Sequence, residues 1–236
     1  MTKRPAEPTV TKIDIPFEKE TLANGLRVVA HHDDKAPIVT VSVWYHVGSK
    51  NDVPGRTGLA HLFEHLMFEG SAHHEAEHFA PLERAGASVI NGTTNRDRTN
   101  YFQTVPAGAL DLALWLESDR MGYLVGALTQ EKLDEQREVV RNEKKQSDNQ
   151  PYGRVSEHLF GALYPAEHPY SWPIIGRLED LDRATVDDVA SWYETWYRPS
   201  NAVVVVSGAI ASDDAVRRVE EHFGALPPGP PLVRPG

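Results

Sequence analysis

Histidines and glutamates crowd the stretch HLFEHLMFEGSAHHEAEHF, His61 to Phe79, and their spacing twice fits a metal signature. His61, Glu64 and His65 spell H-x-x-E-H. His74, Glu75, Glu77 and His78 spell HEAEH, which fits that pattern and also its reversal, H-E-x-x-H. On a helix, residues four apart share a face with their Cβ atoms about 5–6 Å apart, so either histidine pair can aim ring nitrogens at one zinc ion. A carboxylate one residue before the second histidine stands beside such a metal but offset from it. That placement suits a base acting on water better than a ligand.

The two signatures differ in their surroundings. Leu59, Ala60, Leu62, Phe63, Leu66, Met67 and Phe68 flank the first, so its helix is apolar nearly all round. Burying two imidazoles and a carboxylate there is costly unless a partner compensates them, and a metal is such a partner. The plainer alternative is a polar stripe turned to solvent. In the second signature Pro81 stands three residues past His78. A proline inside a helix clashes with the carbonyl four residues back, here that of Glu77, whereas the first turn tolerates it. A helix over FAPLERAGA must therefore start near Glu77 or His78, which leaves His74 in the preceding loop and dissolves the shared face. The small, polar run EGSAHHEAEH, His73 included, reads as a solvated connection with adventitious metal binding at most.

A catalytic zinc commonly takes three protein ligands and keeps one position open. Leu133, Gln136, Val140 and Glu143 fall on one narrow face of a charged helix after Thr129, so if Leu133 and Val140 turn inward, Glu143 does too. On spacing alone, a glutamate on a solvated, heavily charged helix is the simpler reading.

Composition narrows the chemistry further. The 236 residues include 34 acidic and 24 basic side chains, a net charge of −10, and no basic run interleaves with aromatics, so no nucleic-acid partner is expected. There is no cysteine, which excludes thiolate metal sites, disulfide frameworks and cysteine nucleophiles and leaves any metal to histidine and carboxylate. No stretch nears the roughly 20 apolar residues of a membrane span, so no membrane partner is expected either, and the compartment stays open.

These side chains need a frame. β-Branched runs bounded by turn residues predict strands at Gly25–His32, Ile38–Gly48, Ser88–Gly92, Thr99–Val105 and Ala202–Gly208. Helical spacing predicts GLAHLFEHLMF with Thr57 as its cap, FAPLERAGA ending at Gly86, a long helix opening at Pro106 and a charged helix capped by Thr129. Three more are expected at Gly153–Leu163, Thr185–Tyr197 and Asp213–Phe223. Strands, a helical middle, then strand and helix again make an α/β (α+β) sandwich of one mixed sheet with helices packed on it. Trp192 and Trp196, four apart, predict core packing on one helix face, and HPYSWPIIG, His168–Gly176, a connection packed near the cleft. Asn91-Gly92-Thr93 also fits a glycosylation pattern, one that is common by chance. The last ten residues hold five prolines and read as a linker to something that follows.

RTGLAHLFEHLMFEGS, followed 78 residues after His65 by Glu143 within QREVVRNEKKQSDNQPYGR, resembles the pitrilysin or M16 metallopeptidases, the inverzincins. NGLRVV, NGTTNRDRTNYF, HPYSWPIIG and WYRPSNAVVVVSG extend the resemblance over almost the whole chain. It implies a LuxS/MPP-like metallohydrolase domain with a largely antiparallel sheet over residues 21–226, an N-terminal extension over 1–20 and a Pro-rich linker over 227–236. It implies one Zn2+ per chain held by His61, His65 and Glu143, with Glu64 as general base in a zinc metalloendopeptidase. Asn91, Gly92 and Thr93 match the edge strand on which the family lays an extended peptide substrate. Gln136 stands where the family often carries a second glutamate and is expected to hydrogen-bond behind the ligands. The resemblance also implies a second M16-type domain or homologous subunit, without which the chain should bind zinc but cleave little. The alternative is a non-catalytic M16-like subunit that serves structure or partner binding.

Overall fold

The structure, a computed structural model, describes residues 14–232. Six strands are present: β1 (Glu18–Thr21), β2 (Arg27–His32), β3 (Ile38–Tyr45), β4 (Val89–Thr94), β5 (Thr99–Pro106) and β6 (Ala202–Gly208). Eight α-helices accompany them among the described residues: α1 (Leu59–Leu66), α2 (Phe79–Arg84), α3 (Leu110–Tyr123), α4 (Gln130–Asp148), α5 (Val155–Leu163), α6 (Leu178–Arg183), α7 (Val186–Trp196) and α8 (Ser212–Phe223).

The strands form one sheet in the order β1-β2-β6-β3-β5-β4, in which only the β2–β6 pair is parallel. The expected mixed, largely antiparallel sheet is therefore the one found. In β3, Val39, Val41, Val43 and Tyr45 are buried while Ile38 and Trp44 are exposed, and β2 and β6 repeat the alternation. Successive side chains point to opposite faces of a strand, so one face carries the helices and the other is more open. Val28, Val204, Val43, Tyr101 and Gly92 are register partners from β2 across to β4, and all five lie on the buried face. That row ends under α1.

Several details differ from the sequence reading. Residues 18–20, expected in an extension, extend the sheet as β1; this strand is exposed throughout and so carries no alternation to read. Residues 1–13 and 233–236 of the expected extension and linker lie outside the described residues. At the other end, Ser200 Oγ donates to the Pro228 carbonyl at 2.6 Å, which ties the start of the proline-rich segment to the domain. Pro106 closes β5 and does not open a helix: a short 3-10 turn, Ala107–Ala109, intervenes before α3. The six residues of α6, LEDLDR, are too few to show a helical period, so the sequence does not predict this helix. Trp192 and Trp196 do pack on the core, with ring centroids 6.1 Å apart.

Candidate metal centre

α1 carries the first signature, and its N-terminus is held from outside the helix. Thr57 does not cap it; its hydroxyl donates to Asp180 Oδ2 at 2.6 Å. Asp52 takes that role from six residues upstream of Gly58, accepting from the backbone N–H of Gly58 at 2.8 Å and of Ala60 at 3.0 Å. An acceptor oxygen at a helix N-terminus satisfies donors that have no partner inside the helix, and burial pushes the Asp52 carboxyl up to about 8. Gly58 itself has φ +91°, and a β-carbon there would stand 2.6 Å from the Ile175 carbonyl oxygen. Glycine at this position lets the connection after Pro173 close over the start of α1, so HPYSWPIIG does pack near the cleft.

Leu59, Ala60, Leu62, Phe63 and Leu66 bury α1 in the core, leaving His61, Glu64 and His65 on the face turned to α4 and β4. On α4, Leu133, Gln136 and Val140 are buried as their spacing implies, and Glu143 extends that face to the open end of the helix, where its side chain is 49% exposed. Glu143 Oε2 lies 3.8 Å from His61 Nε2 and 3.5 Å from His65 Nε2. One donor atom from each of the three residues falls within 4.8 Å of the others. Zinc bonds of about 2.0–2.1 Å in a tetrahedral arrangement bring donor atoms to about 3.3–3.4 Å from one another. Two imidazoles and a carboxylate at these separations fit zinc.

Their protonation also fits. Burial, and then His65 beside it, hold the His61 imidazole down to about 4, so it is neutral and its nitrogen lone pair is free near neutral pH. A hydrogen bond from His65 keeps Glu143 below the usual carboxylate range. Both are in the form that binds a cation.

Glu64 is on the same helix face but is held differently. Thr94 Oγ1 donates to Glu64 Oε2, and a β-carbon on Gly92 would lie 3.1 Å from Oε1. Burial raises the Glu64 carboxyl above its usual range, and the Thr94 hydroxyl works against that rise. Both of these contacts come from β4, an edge strand of the sheet. Asn91 lines a cavity of about 260 Å³ with Glu64, His65 and Gln136, and its side chain accepts from the Gly92 N–H at 2.9 Å. Thr93 instead donates to Asn100 Oδ1 at 2.6 Å, across the hairpin.

Gln136 Nε2 donates to Glu69 Oε1 at 2.6 Å, so its partner is a cavity carboxylate and neither His61 nor His65. Thr94 and Asp52 were not singled out from the sequence: a threonine ending a strand and an aspartate before a turn have no local signature for these roles.

The second signature behaves as Pro81 demands. α2 begins at Phe79 with His78 at its cap position, His74 pairs with Ser71 in the preceding loop, and the two histidines share no metal-ligand cluster among the described residues.

Comparison with known proteins fits this geometry. The chain is 34% identical over 211 residues to the zinc protease PqqE of Helicobacter pylori, covering 89% of this chain and 47% of that protein. It is 28% identical over 220 residues to the mitochondrial-processing peptidase subunit beta of Lentinula edodes, covering 93% of this chain and 46% of that one. The crystal structure of a protease from Helicobacter pylori superposes with a TM-score of 0.87 at 33% identity, over 94% of this chain and 53% of that one. The chain thus spans about half the length of the curated relatives it matches. The family model described as "Peptidase M16 inactive domain" matches residues 183–236, a span that includes β6 at the centre of the sheet and so is no separate structural unit here. The model described as "Insulinase (Peptidase family M16)" matches residues 27–175, which hold α1, β4 and α4 together with every candidate ligand, and the chain belongs to peptidase family M16.

Proposed function

We propose that this chain is the zinc-binding half of a metalloendopeptidase that hydrolyses extended or unfolded peptides, with one zinc held by His61, His65 and Glu143. The observation that carries the reading is the convergence of these three donors within 4.8 Å, beside a buried Glu64 that is held against an edge strand. Zinc bound there would supply Lewis acidity, polarising a carbonyl and making water a better nucleophile.

The chain's own residues do the rest. With Thr94 on Oε2, Glu64 Oε1 is the oxygen placed to accept a proton from the attacking water. As the water oxygen bonds to the carbonyl carbon and the C–N bond breaks, that proton passes to the leaving nitrogen. The raised Glu64 carboxyl moves toward the working pH, where a general base is most effective. Among the described residues β4 has a partner on one side only, so an extended peptide can add as a further strand at Asn91, Gly92 and Thr93, with its backbone beside Glu64. Gln136 and Glu69 support the cavity wall. A second M16-type domain or homologous subunit, closing over this edge, would complete the substrate site and exclude water.

The test is cleavage of unstructured fluorogenic peptides by the full-length protein and by Glu64→Gln. The expected result is unchanged zinc content with kcat lower by about 10²–10⁴-fold. Turnover surviving in Glu64→Gln would contradict the assignment. The described chain assayed alone is expected to bind zinc and cleave little.

A further inference from the structure

Arg96 stands in the β4–β5 connection and reaches a cavity of about 330 Å³ that it lines with His61, Thr94, Glu143 and Phe160. Its guanidinium carbon lies 3.4 Å from the centroid of the Phe160 ring. Stacking uses the flat face of the guanidinium and leaves its N–H donors, which radiate in the plane, for another partner. No such partner is present among the described residues: Arg96 Nε is buried without a hydrogen bond, and no carboxylate pairs with the group.

The other charged side chains of this region have partners. Asp97 is taken by Lys50 at 3.0 Å and by the Tyr170 hydroxyl at 2.6 Å. Asp148 and Glu157 share Lys144, at 3.4 and 3.2 Å. Glu143 faces the two histidines. A stacked arginine without an acceptor, next to the metal donors, is an unmatched cation in a cavity large enough for a side chain.

We propose that Arg96 is a specificity-determining residue that takes a carboxylate side chain of the peptide substrate, an aspartate or glutamate, into the cavity it shares with His61. The inference rests on the peptidase reading above. A carboxylate offers two parallel acceptors that match the guanidinium fork, a pairing that neutral side chains do not reproduce. Thr94 ends the edge strand, and a peptide paired with β4 advances about 3.3 Å per residue with side chains alternating in direction. The residue that reaches Arg96 is therefore within a few positions of the bond presented to Glu64. The separate cavity at the Asn91 end of β4 is lined by Glu69 and Glu77, which repel the same side chain, so an acidic residue is accepted on one side of the metal donors only.

The experiment uses the zinc-loaded full-length protein and a set of internally quenched peptides, identical except for Glu, Gln or Lys at each position flanking the cleaved bond. At one position the wild type should cleave the Glu peptide over the Lys peptide by about tenfold or more in kcat/KM. Arg96→Glu should invert that ratio at the same position and at no other, and Arg96→Gln should bring it near one, with bound zinc reporting that each variant folds. A Glu-to-Lys ratio that is the same in all three proteins overturns the assignment. If that occurs while cleavage still depends on Glu64, Arg96 alone is wrongly assigned; if no peptide is cleaved by any Glu64-dependent route, the peptidase reading fails and takes this inference with it.

Discussion

Glu64 rests its carboxylate on Gly92: a β-carbon at that strand position would stand 3.1 Å from Glu64 Oε1, and equally close to Phe68 and Tyr101. Gly92 is not in a left-handed conformation, so glycine is needed there for room and not for backbone freedom. The missing side chain lets α1 settle onto the edge strand with Glu64 at the strand's surface. Gly92→Val is expected to overpack this contact at a cost of about 1–3 kcal/mol, read as a lower denaturation midpoint. By shifting Glu64 it should also lower kcat/KM about 100-fold while zinc content stays near that of the wild type. Wild-type turnover in the valine variant would show that the contact does not set the position of Glu64.

Thr94 tunes the same carboxylate. Its hydroxyl lowers a Glu64 pKa that burial has raised, so removing it lets the pKa rise further. A general base must be ionised, and the acid limb of the kcat/KM–pH profile should move to higher pH in Thr94→Val. An acid limb that stays put, or moves to lower pH, contradicts this role for the threonine.

His78 predicts a pH effect on the fold itself. Burial, with Arg120 nearby, holds its imidazole well below the usual histidine range, and Nε2 is buried without a partner among the described residues. An unfolded histidine titrates near about 6.5, so below that pH the unfolded chain takes up a proton that the folded one does not. Stability should fall as pH drops below this value. With metal removed by chelation, Tm against pH should be flatter for His78→Leu than for the wild type, and parallel curves would contradict the prediction.

Beneath α1, Arg120 is 1% exposed and Glu117 is fully buried, and they pair through Arg120 Nη2 and Glu117 Oε1 at 2.5 Å. The guanidinium also lies 4.4 Å from the Tyr101 ring centroid and donates to the Met67 carbonyl at the end of α1. Arg120→Met leaves a buried carboxylate alone and is expected to cost about 3–5 kcal/mol in chemical denaturation. Adding Glu117→Leu should recover much of that loss. A double variant no more stable than the single one would mean that the pair is not what the single substitution breaks.

How much of this was legible in the sequence follows from the range of each interaction. The signature on α1, the inward face of α4 and the helix start enforced by Pro81 are local patterns of period or sterics, and each is found where its residues imply. β1 lacks alternation because it is exposed throughout, and β6 comes from near the chain's end to lie parallel to β2, so neither placement has a local signal. Thr57 looks like a cap because threonine so often is one, but the tertiary partner Asp180 claims its hydroxyl and Asp52 takes its place. Glu143 was readable as an inward position; the hold of Gly92 and Thr94 on Glu64 was not, since it depends on the helix and strand meeting in space.

The central claim is tested most directly by zinc per chain, measured by elemental analysis after dialysis, in the wild type, Glu64→Gln and Glu143→Gln. The account predicts about one zinc in the wild type and in Glu64→Gln, and a clear loss in Glu143→Gln. A metal-free wild type, or a Glu143→Gln variant that keeps its full zinc, would contradict it.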